Sequence, residues 1–114
     1  MHTYLPAGQI KPSRSGTVAF EGQAHGSGVS VYLVNAAPGA GPVLHRHPYS
    51  ETWIMRGGRA TFVAGEATLE AGPGDILVVG PETPHKFTSL GPDRLDLICI
   101  HDSPTFIQED LGTR

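Results

Sequence analysis

The chain has 114 residues, 39% of them hydrophobic and 17% charged, with 8 basic against 11 acidic side chains for a net charge of −3. That size suits one domain with one modest core, and the apolar content excludes a disordered segment. No run of about 18 apolar residues could span a membrane, and no basic stripe or polybasic cluster offers itself to a phosphate backbone or an anionic lipid surface, so neither nucleic acid nor membrane is expected as a partner.

Residues 1–16 (MHTYLPAGQIKPSRSG) carry two prolines and little periodicity. They read as an irregular lead-in with a short edge strand around residues 9–11. Short apolar or β-branched runs follow, punctuated by turn residues. Residues 17–20 stop at Glu21-Gly22, and 29–34 (VSVYLV) lie between Gly28 and the loop 35–42. Residues 52–56 (TWIMR) meet Gly57-Gly58, a dipeptide that predicts a hairpin into 59–63. A turn at Ala64-Gly65-Glu66 leads into 67–70. Residues 76–79 (ILVV) sit between Gly74-Asp75 and Gly80-Pro81, and 86–89 and 94–100 (RLDLICI) complete the set.

No segment of ten residues shows a 3.6-residue apolar period. The tail from 104 to 111 offers at most a turn of helix. Seven to nine short strands, with 15 glycines and 10 prolines between them, predict an all-β sandwich or barrel. The domain plan is a lead-in at 1–16, a barrel at 17–103 and a tail at 104–114. One cysteine, Cys99, cannot close a disulfide within the chain, and the start lacks an apolar signal-peptide core. A cytoplasmic protein is therefore expected.

Chemistry concentrates in two stretches. His45 and His47 are two residues apart, and on a strand such residues share a face, so their imidazoles make a bidentate chelate. Pro48 cannot donate to a ladder, so a turn should follow and let Glu51 bring a carboxylate back beside them. His85, after the strand at 76–79 and a loop, is a fourth candidate ligand. Three neutral nitrogens and one anionic oxygen, without thiolate, suit divalent transition metals. Fe(II) is the ion expected first, with Mn, Ni, Zn, Co and Cu inside the same preference. About two positions of an octahedral ion stay open for substrate or dioxygen.

The spacing G(x)5HxH(x)3E(x)6G, met by Gly39, His45, His47, Glu51 and Gly58, resembles the first motif of the cupin superfamily. The second, G(x)5PxGxxH(x)3N, is met in part. Gly74 and His85 fit, Gly80 and Glu82 stand where Pro and Gly are usual, and Ser89 replaces Asn. The resemblance covers roughly residues 28–101 and implies a small single-domain cupin: an antiparallel jelly-roll β-barrel with the metal inside, held by His45, His47, Glu51 and His85. It also implies a homodimer paired through edge strands and termini.

If those ligands point inward, strand parity turns Val43, Trp53, Met55 and Phe87 inward with them and makes an apolar, aromatic pocket for a small organic substrate. Leu95, Leu97, Cys99 and His101 share one strand face. His101 and Tyr32 are the expected catalytic residues, with Glu82 another candidate for moving a proton. Three functions remain open on this reading. The first is a metal-dependent dioxygenase; the second is an isomerase, cyclase, lyase or decarboxylase using the metal as Lewis acid; the third is a small-molecule-binding cupin without catalysis.

Overall fold

Alternation with a period of two decides which side chains enter the core. Along Leu95–His101, residues Leu95, Leu97, Cys99 and His101 are buried while Asp96, Ile98 and Ile100 turn to the other face. Glu51–Gly57 buries Glu51, Trp53 and Met55, and His85–Ser89 buries His85, Phe87 and Ser89 in the same manner.

The computed structural model describes residues 1–112. In chain order the strands are β1 (Val18–Phe20), β2 (Ser30–Ala36), β3 (His45–Arg46), β4 (Glu51–Gly57), β5 (Ala60–Ala64), β6 (Ala67–Ala71), β7 (Ile76–Val79), β8 (His85–Ser89), β9 (Leu95–His101) and β10 (Glu109–Asp110). They form two five-stranded antiparallel sheets, ordered β1-β2-β9-β4-β7 and β10-β3-β8-β5-β6. The apolar core between the sheets is built on Trp53, Phe62, Leu95 and Leu97, each 1% exposed or less. This is the all-β architecture that the strand pattern predicts, in the jelly-roll form that the resemblance implies.

Several local expectations need correction. Gly57-Gly58 does not close a hairpin: β4 and β5 lie in different sheets, and the pair carries the chain from one to the other. Gly58 has φ +74°, and a Cβ there would sit 2.6 Å from the Arg94 carbonyl oxygen, so glycine is required by both backbone and space. The two-residue hairpin falls instead at Gly65-Glu66, between β5 and β6.

Residues 9–11 are not an edge strand; a 3₁₀ turn occupies Ala7–Gln9. The tail is not helical either. It runs extended and places β10 beside β3, with Glu109 opposite Arg46. Of the tail expected at 104–114, residues 113 and 114 lie outside the described residues. Among the described residues no helix is long and apolar enough to cross a membrane.

Candidate metal centre

Each sheet contributes one facing pair of residues. On one sheet, β3 and β8 put His45 directly opposite His85. On the other, β4 and β9 put Glu51 directly opposite His101. His47 lies just past the end of β3, in the bend that Pro48 forces before β4. The inner faces meet so that ligating atoms of His45, His47, Glu51 and His85 all lie within 4.8 Å of one another. Donors about 2.1 Å from a single ion are at most about 4.2 Å apart. A small contraction therefore closes this set on one metal.

The hydrogens are placed for that purpose. Nδ1 of His45 lies 2.7 Å from the Val43 carbonyl, that of His47 2.8 Å from the Tyr49 carbonyl, and that of His85 2.7 Å from the Thr83 carbonyl. A carbonyl only accepts, so each Nδ1 carries the hydrogen and donates. In the neutral rings the Nε2 lone pairs then face inward. Two of them meet a carboxylate oxygen: Nε2 of His47 is 2.9 Å and Nε2 of His85 is 3.1 Å from Oε1 of Glu51. Lone pair against lone pair is repulsive at that range, so a cation belongs among them. Three imidazoles and a carboxylate, all buried, fit a divalent transition metal.

Oε2, the second oxygen of Glu51, is held from behind. The Trp53 indole N–H donates to it at 2.6 Å, and Nε2 of His101 stands 3.3 Å away. Nδ1 of His101 is in turn 2.7 Å from the Tyr49 hydroxyl. With Nε2–H turned to Glu51, Nδ1 accepts from the phenol. Tyr49 also stacks on His47 at 4.1 Å between ring centroids. Burial alone would raise the Glu51 carboxyl, but hydrogen bonding, that from His101 first, outweighs it and holds the group below the ordinary carboxylate range. Burial lowers His45, which favours its neutral, ligating form. Oε1 is thus left to a metal while Oε2 is pinned by side chains that do not belong to the ligand set.

A cavity of about 650 Å³ opens onto this cluster. His45, Glu51 and His101 lie at its buried end, and Tyr32, Val34, Trp53, Phe87 and Cys99 wall it. Tyr32 stacks on Phe106 and meets His101 edge-on at 5.4 Å. Among the residues expected at the site, the structure gathers the four ligands, His101, Tyr32, Trp53 and Phe87.

Val43 and Met55 are not among the lining residues. β3 begins only at His45, so parity does not extend back to Val43, whose carbonyl instead orients the His45 ring. Met55 sits deeper along β4 and borders a separate, smaller cavity with Phe62 and Leu69. Glu82 is exposed and off the cavity. It has φ +62°, so the loop keeps a glycine-like backbone at the position where glycine is usual.

Tyr49 has little signal in the sequence beyond following the histidine pair by two residues. The rim residues Arg14, Asn35 and Arg94 have none, because only folding brings them together.

The cupin-domain family profile matches residues 32–101 of the chain. An uncharacterised protein of Methanocaldococcus jannaschii is 30% identical over 73 residues, which is 63% of this chain and 58% of that protein. The chain thus spans little more than half of that relative. Among solved structures, the formate complex of Lactobacillus farciminis oxalate decarboxylase is similar with a TM-score of 0.78 and 21% identity, over 91% of this chain and 34% of that one. A Bacillus subtilis oxalate decarboxylase described for its Mn(II) centres is similar with a TM-score of 0.77 and 20% identity, over 90% and 29%. Both structures are likenesses of fold.

Proposed function

Because this chain belongs to the cupin family, with its four potential ligands gathered at the end of an apolar cavity, we propose that it is a metal-dependent oxygenase of the dioxygenase type. Its substrate is a small organic molecule bearing an enol, thiol, diketone or phenolate. One observation carries the reading: the polar cluster is buried at the closed end of a cavity whose other deep walls are aromatic and aliphatic. When bound, a redox-active divalent ion supplies a place where dioxygen and a substrate heteroatom can meet.

The chain's own residues do the rest. His45 and Glu51 present the ligand set to the cavity. Val34, Trp53 and Phe87 exclude water and grip an apolar substrate body. Burial holds the Tyr32 phenol above its ordinary value, so at neutral pH it stays a hydrogen-bond donor facing the substrate space. His101, engaged by Glu51 and Tyr49 on its two nitrogens, fixes the carboxylate.

A second reading is favoured by that same chain of Glu51, His101 and Tyr49. It is a route for a proton beside the substrate, as an isomerase, lyase or decarboxylase using a Lewis-acid metal would need. Fe(II) loading without air, followed by oxygen-uptake assays over a panel of the four substrate types, separates the two. Uptake coupled to substrate loss supports the oxygenase. Turnover that persists under strict anaerobiosis supports the Lewis-acid reading.

A further inference from the structure

The cavity has a second polar region, at its exposed end. Arg14 and Arg94 line it there beside Ser15, Thr17 and Asn35. The two arginines are far apart in the chain, and Arg94 ties itself to the segment next to Arg14: its Nη2 donates to the Ser15 carbonyl at 3.0 Å and its Nε to Oδ1 of Asn35 at 2.5 Å. The turn that carries Arg14 is closed by the Gly16 amide on the Ser13 carbonyl at 2.9 Å and by the Ser13 amide on the Thr17 carbonyl at 2.8 Å. Gly16 supplies the φ of +101° that the turn needs, with the Asn35 side chain packed against it. The rim is therefore anchored on β2.

Charge is distributed unevenly. The chain as a whole is acidic, yet among the described residues the only carboxylate lining the cavity is Glu51, at the deep end. Among the described residues, the carboxylates paired with arginine are Glu109, with Arg46, and Glu70, with Arg59; neither involves Arg14 or Arg94. Two unneutralised guanidinium groups at the mouth of an apolar cavity attract an anion. Arg94 keeps its Nη1 hydrogens available, and a planar guanidinium fork matches a carboxylate.

We infer that the cavity takes a small organic acid. Its carboxylate is held at the rim by Arg14 and Arg94, its apolar body lies against Trp53 and Phe87, and its reacting end is directed toward His45 and Glu51. This rests on reading the cavity as a substrate site and adds the class of substrate. It places the carboxylate at the arginines and not on the metal.

Trp53 is the single tryptophan of the chain and lines the cavity, so its fluorescence reports binding without turnover. The test compares small aromatic acids with their primary amides, titrated into zinc-loaded protein, metal-free protein, and the Arg14→Gln and Arg94→Lys variants. The acids should bind about tenfold more tightly than the amides, one charge-assisted contact's worth. That preference should persist in metal-free protein and shrink in both variants. Arg94→Lys keeps a cation able to hold Ser15 and Asn35, and the fold of each variant is checked by circular dichroism. Equal binding of acids and amides overturns the inference. So does a preference that disappears with the metal but survives Arg14→Gln, because the carboxylate would then be on the ion. Failure of the oxygenase reading would appear separately, as absent oxygen uptake with the acid preference intact.

Discussion

Trp53 donates its indole N–H to Oε2 of Glu51 at 2.6 Å, from two residues along the same inward face of β4. The strand's parity thus makes one side chain both a wall of the cavity and the clamp of a ligand. Trp53→Phe keeps most of the ring and removes the donor. The variant should lose about 1–3 kcal/mol of stability, the cost of a buried acceptor left short of a partner. Its metal affinity should fall roughly 10–100-fold, as for other outer-shell partners. Calorimetric metal titration and urea denaturation measure both; unchanged affinity would show that Oε2 needs no anchor.

Glu82 is the only non-glycine residue with positive φ among the described residues, and it stands in the loop that leads to His85. Its amide donates to the His47 carbonyl at 2.8 Å, a bond independent of the side chain. Glu82→Gly should therefore raise stability by about 1 kcal/mol by relieving a left-handed conformation, with metal affinity unchanged. The denaturant midpoint at constant m-value reads this directly. A drop would mean that the Glu82 carboxylate has a structural partner.

Cys99 lies beside the cluster and is fully buried. Burial first, and then the neighbouring Glu51 carboxylate, push its thiol well above the ordinary value. The sign follows from linkage. The unfolded chain releases this proton near pH ~8.5 while the folded chain keeps it, so stability is full below that pH and declines as pH rises beyond it. Wild type should lose up to about 1.4 kcal/mol per pH unit more than Cys99→Ala between roughly pH 8.5 and 10. Parallel profiles in urea denaturation would contradict the shift. The same protonation should leave the native thiol slow toward disulfide reagents until the protein is unfolded.

The strands were legible because apolar alternation is local: 94–100 in the sequence corresponds to β9 with its inward Leu95, Leu97, Cys99 and His101. The His/Glu cluster was legible for a similar reason, since His45, His47 and Glu51 flank one turn, and a second patterned loop supplies His85. Strand pairing was not. Gly57-Gly58 has the chemistry of a hairpin and of a crossing between sheets alike, and the choice lies in contacts with Arg94 and Leu95 far along the chain. The wall of the cavity was half legible. Parity reached Trp53, Phe87 and Met55, although Met55 lies one step deeper and borders a separate cavity, and it did not extend to Val43, where no strand exists to carry it. The arginine rim depends on the Arg94 contact with Ser15, which no periodicity announces.

The most direct test is a metal titration of chelator-treated protein with Mn(II) and Fe(II) under anaerobic conditions, followed by X-ray absorption at the metal edge. One ion per chain, coordinated by three imidazole nitrogens and a carboxylate oxygen, is expected. It should come with a rise in melting temperature equivalent to about 2.7 kcal/mol at a hundredfold excess over Kd, and His85→Ala should lose one nitrogen from the shell. Failure to bind either ion, or a coordination shell unaltered in His85→Ala, would contradict the assignment of these four side chains to one metal.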